Sequence, residues 1–228
     1  MIGAWAVHLY TASGVVLGLM AAADIYQSDY RGAFLWMFLA TVVDATDGVF
    51  ARAARVSERL PWFDGTLLDN LVDYVTYVFV PALFVWQALI VPDRLSVPVC
   101  GAMLISSAYG FSRADAKTDD HFFTGFPSYW NVVVFYLWVT GLSPIVNALI
   151  VVGLSALVFV PLRYVYPSRT PVLRPLTVLL GIAWGISLLL LLRQGPDVPR
   201  SLLWISFLFP AYYFALSLAL STRRRAGL

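Results

Sequence analysis

Four aspartates occupy two short, regularly spaced segments of an otherwise apolar sequence. Asp44 and Asp47 lie in the run DATDGVFAR, and after a spacer of twelve residues Asp69 and Asp73 lie in GTLLDNLVD. A carboxylate inside a hydrophobic segment is energetically costly unless a cation compensates its charge. Four acids so placed therefore predict a site for divalent metal, and an all-oxygen set of ligands favours Mg²⁺ or Mn²⁺.

The spacing within each pair predicts that both carboxylates point the same way from a helix. Asp44 and Asp47 are three residues apart, and Gly48 continues that helical face. Asp69 and Asp73 are four residues apart and share a face at the start of the next helix. If the two helices pack antiparallel, the four acids converge. Ordinary ion pairs with arginines are the alternative, but the acids outnumber the basic residues close enough to neutralise them.

Small and basic residues beside the acids suit a phosphate ligand. Gly48 and Gly65 each lack a side chain close to a predicted metal ligand, which lets a ligand approach the backbone. Arg52, one turn after Gly48, offers a planar guanidinium to a phosphate drawn in by the metals. Helix packing or a turn is the alternative for either glycine. For Arg55 and Arg59, contact with lipid headgroups or a role in topology is the favoured interpretation.

Membrane-spanning helices must position these residues. Hydrophobic residues make up 60% of the 228 and charged residues 12%, against roughly 25% charged in soluble domains, and the mean hydropathy is +0.78. The first apolar stretch has no basic segment or cleavage site before it, so we expect it to be retained as a span. The formal net charge is +2, and no nucleic-acid partner is expected. Stretches long enough to cross about 30 Å of hydrocarbon are residues 4–23, 32–52, 66–91, 95–113, 144–163, 172–192 and 200–221.

An eighth span is inferred from the placement of charge. The stretch 129–140 is short for a span, but if it crosses, eleven Lys and Arg residues lie on cytoplasmic segments and four lie outside, as the positive-inside rule requires. Without it, the later basic loops would fall on the wrong side. We therefore predict an all-α polytopic membrane protein of about eight transmembrane helices, with both termini cytoplasmic. No linker or internal repeat divides residues 1–228, so one catalytic domain is expected.

The segment from Asp44 to Asp73 resembles a known family signature. The matching positions are Asp44, Asp47, Gly48, Ala51, Arg52, Gly65, Asp69 and Asp73. Their pattern is similar to that of the CDP-alcohol phosphatidyltransferases. The twelve-residue spacer is longer than is usual in that family, and this departure resembles the bacterial phosphatidylcholine synthase branch. The segment HFFTGFPSYWN at 121–131 and the larger number of helices also resemble that branch.

The resemblance implies a fold, a reaction and roles for the acids. The fold would be that of the CDP-alcohol phosphotransferases. The reaction would transfer the phosphatidyl group of CDP-diacylglycerol to choline, releasing CMP, by direct attack of the choline hydroxyl. Two divalent cations, Mn²⁺ or Mg²⁺, would be bound by Asp44, Asp47 and Asp69, while Asp73 would contribute to the metal site and act as the catalytic base. The residues implied to line the CDP site are Gly48, Ala51, Arg52 and Gly65.

The resemblance also implies an environment. The protein would lie in the inner membrane of a bacterium, among membrane lipids, with its active site facing the cytoplasm. Members of the resembled family commonly form homodimers, so a homodimer is expected, although no sequence feature identifies the contact surface.

Aromatic residues in the cytoplasmic loops predict the site for the acceptor alcohol. The quaternary ammonium of choline cannot donate hydrogen bonds and is held best by aromatic faces. Tyr129 and Trp130 are the preferred candidates, with Trp62 as a further one. Asn131 could position a ligand hydroxyl or cap the short helix that follows. An interfacial aromatic belt is the alternative for each aromatic residue.

Other functions remain open at this stage. Serine could replace choline, since its carboxylate could use Arg113, which could equally bind the lipid-linked phosphate or anchor a helix end. Inositol phosphate or glycerol phosphate would call for more basic residues near the site. A metal-coupled transporter would need acids near the bilayer midplane and internal repeats, and neither is evident.

Two further groups are expected to have no catalytic role. Asp115, Asp119, Asp120 and His121 form an acidic loop that we expect to be solvated, with His121 not a metal ligand beside four carboxylates. Cys100 is the single cysteine and lies in an apolar stretch, which favours a small core residue.

Overall fold

The computed structural model shows a chain that is helical over most of its length. It describes residues 1–116, 118, 122–167, 169–194 and 198–225. Much of the acidic loop, including Asp119, Asp120 and His121, lies outside the described residues, and the expectation for that loop stays a prediction. The helices are α1 (Ile2–Tyr26), α2 (Tyr30–Ala53), α3 (Val56–Arg59), α4 (Gly65–Asp73), α5 (Val80–Gln87), α6 (Asp93–Ser112), α7 (Trp130–Thr140), α8 (Pro144–Leu157), α9 (Arg174–Gln194), α10 (Arg200–Ser206) and α11 (Leu208–Arg225).

Within the described residues, six helical stretches are long and apolar enough to cross a membrane. The predicted class, an all-α polytopic membrane protein, is confirmed. The two further apolar helices, α7 and α8, are shorter than the roughly 20 residues of a full span, so the count of eight stays a prediction. The six stretches are Ile2–Tyr26, Tyr30–Ala53, Gly65–Gln87, Asp93–Ser112, Arg174–Gln194 and Arg200–Thr222.

A short antiparallel ribbon interrupts the helices where the sequence predicted none. β1 (Phe122–Thr124) pairs with β2 (Arg163–Val165). The predicted span 144–163 is therefore too long: α8 ends at Leu157, and Pro161, shortly beyond it, cannot continue a helix. The ribbon joins the segments that lead into α7 and α9.

Gly125, directly after β1, fixes the ribbon against the end of α8. Its φ is +83°, and a Cβ atom there would overlap the carbonyl oxygen of Val158, so only glycine fits. The Gly125 N–H donates to the carbonyl of Leu162 at 2.8 Å, and that of Phe126 donates to Leu157 at 3.1 Å. The chain that leads into α7 is thereby held in place.

The main core lies where α2, α5 and α7 meet. The Phe34 ring lies 4.7 Å from that of Phe84 and 5.2 Å from that of Phe135, measured between centroids. Cys100 is buried, with its Sγ 3.4 Å from the carbonyl oxygen of Ala82, which confirms it as a core residue. This packing holds α5, which continues the helix that carries Asp69 and Asp73.

A π-helical segment, Tyr74–Phe79, joins α4 to α5 immediately after Asp73. Pro81 has no N–H to donate, and its ring would crowd the carbonyl four residues earlier in a regular helix. A wider turn relieves that crowding, and single π-helical turns are frequent at functional sites. Tyr77 is buried within this segment.

Two glycines let α1 pack closely against the helix that bears Asp69 and Asp73. A Cβ atom at Gly14 would lie 2.6 Å from Cγ1 of Val72, and one at Gly18 would lie 3.2 Å from Cγ1 of Val75. Small residues commonly allow such close contact between membrane helices. The contact brings α1 next to both acid-bearing helices.

Replacing Gly14 with alanine is expected to destabilise the protein. The new methyl group would press on Val72, whose branched side chain has little freedom to move, at a cost of about 1–3 kcal/mol. Thermal unfolding in detergent should show a melting temperature lower by about 2–4 °C for each kcal/mol.

Gly101→Ala is the matched control. Gly101 lies within α6, and a Cβ atom there would have no other atom within 4 Å, so helix propensity should leave the melting temperature equal or higher. Equal melting temperatures for Gly14→Ala and Gly101→Ala would contradict the proposed contact.

Candidate active site

Three of the predicted aspartates form a compact cluster between α2 and α4. Asp44 and Asp47 come from α2 and Asp69 from α4, and one carboxylate oxygen of each lies within 4.8 Å of the others. Asp47 is buried and the other two are partly buried. The predicted convergence of the two helices is confirmed for these residues, and three carboxylates at this separation could bind a metal ion.

Asp73 lies one turn deeper and closes the cluster. Its carboxyl group is within hydrogen-bonding reach of Asp44. All four acids enclose a void of about 10 Å³, together with Thr11 and other residues, and about this volume holds one water-sized particle. The donor set and the size of the void thus fit a small divalent cation.

Two hydroxyl groups orient the acids of α2. Thr11 of α1 donates a 2.7 Å hydrogen bond to Oδ2 of Asp47, and Tyr77 of the π-helical segment donates a 2.8 Å bond to Oδ2 of Asp44. Bonds to ionised carboxylates are stronger than those between neutral groups, and partners of this kind typically orient metal ligands. The cluster, built on α2 and α4, therefore depends on two further elements, α1 and the π-helical segment.

A cavity of about 1370 Å³ opens beside the cluster. Asp44, Asp47 and Asp69 line it, whereas Asp73 borders the small void. The structure thus brings the predicted CDP-binding residues and the acids to one space. The lining residues on this polar side include Gly48, Ala51, Arg52, Arg55, Ser57, Glu58, Trp62, Asp64 and Gly65.

The opposite part of the same cavity is apolar. It extends between α7, α8 and the helices near the end of the chain, far in sequence from the four acids. A space that is polar at one end and apolar at the other matches a molecule with a charged head and a hydrocarbon tail. The residues lining this apolar part include Val133, Leu137, Leu142, Ile150, Leu154, Phe207 and Phe214.

Tyrosines line the cavity close to the acids. Tyr129 lines the cavity, with ring centroids 6.1 Å from Tyr77 and 6.3 Å from Tyr213. The Tyr213 hydroxyl donates to the carbonyl of Val165 in β2 at 3.0 Å. Tyr166, directly after β2, also lines the cavity. The ribbon thus gathers aromatic rings from distant parts of the chain next to the acids.

Several bacterial relatives of this chain carry the same name. It is 39% identical over 225 residues to a phosphatidylcholine synthase of Pseudomonas aeruginosa, covering 98% of the chain and 94% of the relative. It is 42% identical to a phosphatidylcholine synthase of Legionella pneumophila, covering 92% and 88%, and 37% identical to one of Rhizobium meliloti, covering 81% and 77%. The chain belongs to the phosphatidylcholine synthase family. No family model matches the chain.

In this member of the phosphatidylcholine synthase family, the predicted choline-binding residues do not all reach the cavity. Tyr129 and the largely exposed Trp62 line it. Trp130 is completely buried, and its indole N–H donates to Oγ of Ser107 at 2.7 Å. Among the described residues that line the cavity, Trp130 is absent. It packs in the core because the side chains of neighbouring residues at a helix start point in different directions.

Asn131 also lies behind the cavity wall. Its side-chain amide donates to Oγ1 of Thr41 at 2.9 Å, and its oxygen accepts from the N–H of Val132 at 2.9 Å. Thr41 itself lines the cavity. Asn131 thus contacts the first turn of α7 and supports a residue of the wall.

Arg113 is engaged outside the cavity. Its guanidinium forms a two-bond ion pair with Asp115, at 2.6 and 2.8 Å, and lies 5.9 Å from the ring centroid of Tyr109. The ion pair holds the pKa of the Asp115 carboxyl below its usual value. In the described part of the chain Arg113 is not among the residues lining the cavity, so this geometry favours the helix-anchoring alternative.

The structure reveals site residues that the sequence analysis did not select. Tyr77 continues the face of Asp69 and Asp73 by another four residues, a spacing that could have revealed it. Thr11 gave no such signal, because it lies on a helix without acids next to it. The other unselected residues that line the cavity include His8, Tyr166, Arg169, Arg174 and Tyr213.

Tyr77→Phe is expected to weaken metal binding. Loss of the hydroxyl leaves Asp44 without one of the bonds that orient it, and comparable losses around metal sites reduce affinity about 10- to 100-fold. Titration with Mn²⁺, followed by electron paramagnetic resonance of the free ion, would measure the change.

Tyr74→Phe provides the control from the same segment. The Tyr74 hydroxyl donates to the carbonyl of Leu104 at 3.0 Å, away from the cluster, so its removal should leave Mn²⁺ affinity unchanged. An equal effect in both variants would show that Tyr77 acts on the segment as a whole instead of on Asp44.

Proposed function

We propose that this protein transfers the phosphatidyl group of CDP-diacylglycerol to choline, giving phosphatidylcholine and CMP. The observation that carries the proposal is the similarity to phosphatidylcholine synthases over 98% of the chain. An acid cluster beside a cavity that is polar at one end and apolar at the other supports it. We further infer that the protein has the CDP-alcohol phosphotransferase fold in a single domain.

The acids are proposed to hold two divalent cations, Mn²⁺ or Mg²⁺. Asp44, Asp47 and Asp69 would be the principal ligands, with Asp73 contributing from the deeper side. When bound, such ions would neutralise negative charge that develops on the departing phosphate. Thr11 and Tyr77 hold the two carboxylates of α2 in place and so reduce the reorganisation that binding requires.

The nucleotide end of the lipid is assigned to the polar part of the cavity. Gly48 and Gly65 border it without side chains, and Arg52 lies one turn beyond Gly48. Guanidinium groups bind phosphate oxygens through paired hydrogen bonds. The acyl chains would then extend towards the apolar part of the cavity and the surrounding lipid.

Asp73 is proposed as the base for the attacking alcohol. The choline oxygen would bond to the phosphorus of the phosphatidyl group as the bond from that phosphorus to the oxygen of CMP breaks, while the hydroxyl proton passes to the Asp73 carboxylate. CMP leaves with the bonding electrons. No residue of the chain forms a covalent intermediate in this scheme. The contact between Asp73 and Asp44 supports this assignment, because the base must act beside the metal-bound phosphate.

The choline cation is assigned to the tyrosines of the cavity. Tyr129, Tyr166 and Tyr213 all line it, and aromatic faces attract quaternary ammonium groups. We assign Trp130 a supporting role, because its bond to Ser107 holds the segment that presents Tyr129.

Serine is the second candidate acceptor. Arg169 and Arg174 line the cavity, and either could bind the carboxylate that serine has and choline lacks.

The cellular setting is also a proposal. The multi-pass protein is assigned to a bacterial inner membrane, where lipid molecules surround its spans. Arg52, Arg55 and Arg59 follow the acids of α2, and the positive-inside rule then places the active site and both termini in the cytoplasm. A homodimer is proposed from the resemblance alone.

The reaction can be tested with purified protein in lipid nanodiscs. CDP-diacylglycerol is supplied with labelled choline, serine or glycerol phosphate and with Mn²⁺ or Mg²⁺. We expect release of CMP that depends on choline and on the metal, and a loss of at least about 100-fold in kcat for Asp73→Asn, since general bases contribute about 10²–10⁴-fold.

Asp93→Asn is the control for the loss of one acid. Asp93 lies at the start of α6, among the residues predicted to be on the opposite side of the membrane, and its variant should retain wild-type turnover. Incorporation of serine alone would overturn the choline assignment in favour of the second candidate. Full activity of Asp73→Asn would remove the proposed base.

The choline site predicts a selective change in KM. Tyr129→Leu should raise the KM for choline about tenfold, the equivalent of about 1–2 kcal/mol of cation–π attraction, and leave the KM for CDP-diacylglycerol unchanged. Tyr129→Phe keeps an aromatic face and should stay close to wild type. Steady-state kinetics with each substrate varied in turn would measure both constants. Equal rises in both KM values would indicate a general disturbance of the cavity.

A further inference from the structure

His8 is a buried polar residue to which the proposed reaction assigns no role. It lies on α1, its side chain is 7% exposed, and it lines the large cavity. Its Nε2 atom is buried and has no hydrogen-bond partner among the described residues. Buried polar atoms in native proteins are nearly always paired, so an exception in a cavity wall points to a polar partner from outside the described residues.

His8 lies at the part of the cavity that is assigned to the nucleotide. It lies one helical turn before Thr11, which donates to the metal ligand Asp47, on the same face of α1. A Cβ atom at Gly65 would lie 2.9 Å from Cε1 of His8. The imidazole thus borders one of the glycines assigned to CDP, one turn of α1 away from the residue that contacts Asp47.

The surroundings of His8 suit a planar ring better than a phosphate. The Phe63 ring lies 4.3 Å from the imidazole and the Trp5 ring 6.0 Å, measured between centroids. Trp62 lies 5.6 Å from Trp5, and Phe63 and Trp62 both line the cavity. Aromatic side chains stack on nucleobases regardless of their identity, whereas phosphates would be drawn to the acid-bound metals and to Arg52.

We propose that Nε2 of His8 hydrogen-bonds the cytosine ring of the nucleotide, with Phe63 and Trp62 beside the ring; this assignment rests on the proposed function. Cytosine has ring acceptors and an amino donor, and neutral imidazole donates or accepts according to its tautomer. Substrate and CMP present the same base, so the contact contributes equally before and during the reaction. Its loss therefore raises the KM for CDP-diacylglycerol and leaves kcat unchanged.

The test is direct binding of CMP to the full-length protein in detergent with Mn²⁺, measured by calorimetry. His8→Phe keeps an aromatic ring but has no nitrogen, and its affinity for CMP should fall about tenfold, as expected for one lost hydrogen bond. His8→Gln places an amide near the position of Nε2 and should recover part of that loss. Leu9→Phe, at the largely exposed neighbouring position, is the matched control and should bind CMP like wild type.

Ribose 5-phosphate separates the base from the phosphate. It lacks the cytosine ring, so its affinity should be the same for wild type and His8→Phe. Equal weakening of CMP and ribose 5-phosphate in His8→Phe would overturn the base assignment, and unchanged CMP affinity would overturn any role in nucleotide binding.

Measuring choline turnover by the wild-type protein in the same preparation distinguishes failure of this proposal from failure of the proposed function. Absence of that turnover would refute the function. Intact turnover together with unchanged CMP affinity in His8→Phe would refute the role of His8 alone.

Discussion

Mutual repulsion among Asp44, Asp47 and Asp69 is the constraint that the rest of the structure must satisfy. Carboxylates this close, in surroundings that are mostly apolar, raise the free energy of the folded state unless protons, donors or cations compensate them. The fold meets part of that need with hydroxyl donors from two directions, Thr11 and Tyr77. The close approach of α1, which its glycines permit, is therefore part of the chemistry of the site as well as of its packing.

The repulsion among the acids also bears on which molecule the cavity can accept. Acids at one end attract cations, and cations in turn attract phosphate, while the apolar lining at the other end accepts hydrocarbon. A lipid that carries a diphosphate satisfies both ends at once. Tyr77 contacts Asp44 and Tyr129 lies beside Tyr77, and on the proposed function the acceptor alcohol would bind beside these rings. Membership of the phosphatidylcholine synthase family agrees with this division of the cavity.

Local periodicity explains what could be predicted from the sequence. The spacing of Asp44 and Asp47, and of Asp69 with its neighbour one turn on, depends only on helical geometry, and helices joined by a short loop pack next to each other. Thr11 could not be predicted in this way, since the rotation of α1 about its axis is decided by contacts with distant residues. Tyr129 and Trp130 could not be distinguished in this way either, because both are aromatic and adjacent, and either could have been predicted to bind choline. Tertiary packing placed Tyr129 in the cavity wall and Trp130 in the core.

The π-helical segment lets the two halves of one membrane helix respond to different demands. After it, α5 packs into the hydrophobic core through Phe84 and its neighbours. Before it, α4 carries Asp69 and Asp73, which line the small void between the acids. A π-helical turn holds more residues than a regular one, because its hydrogen bonds join residues five apart, so it changes the rotation of α5 about its axis relative to α4. The first half can thus direct its acids at the cluster while the second half directs its apolar side chains into the core.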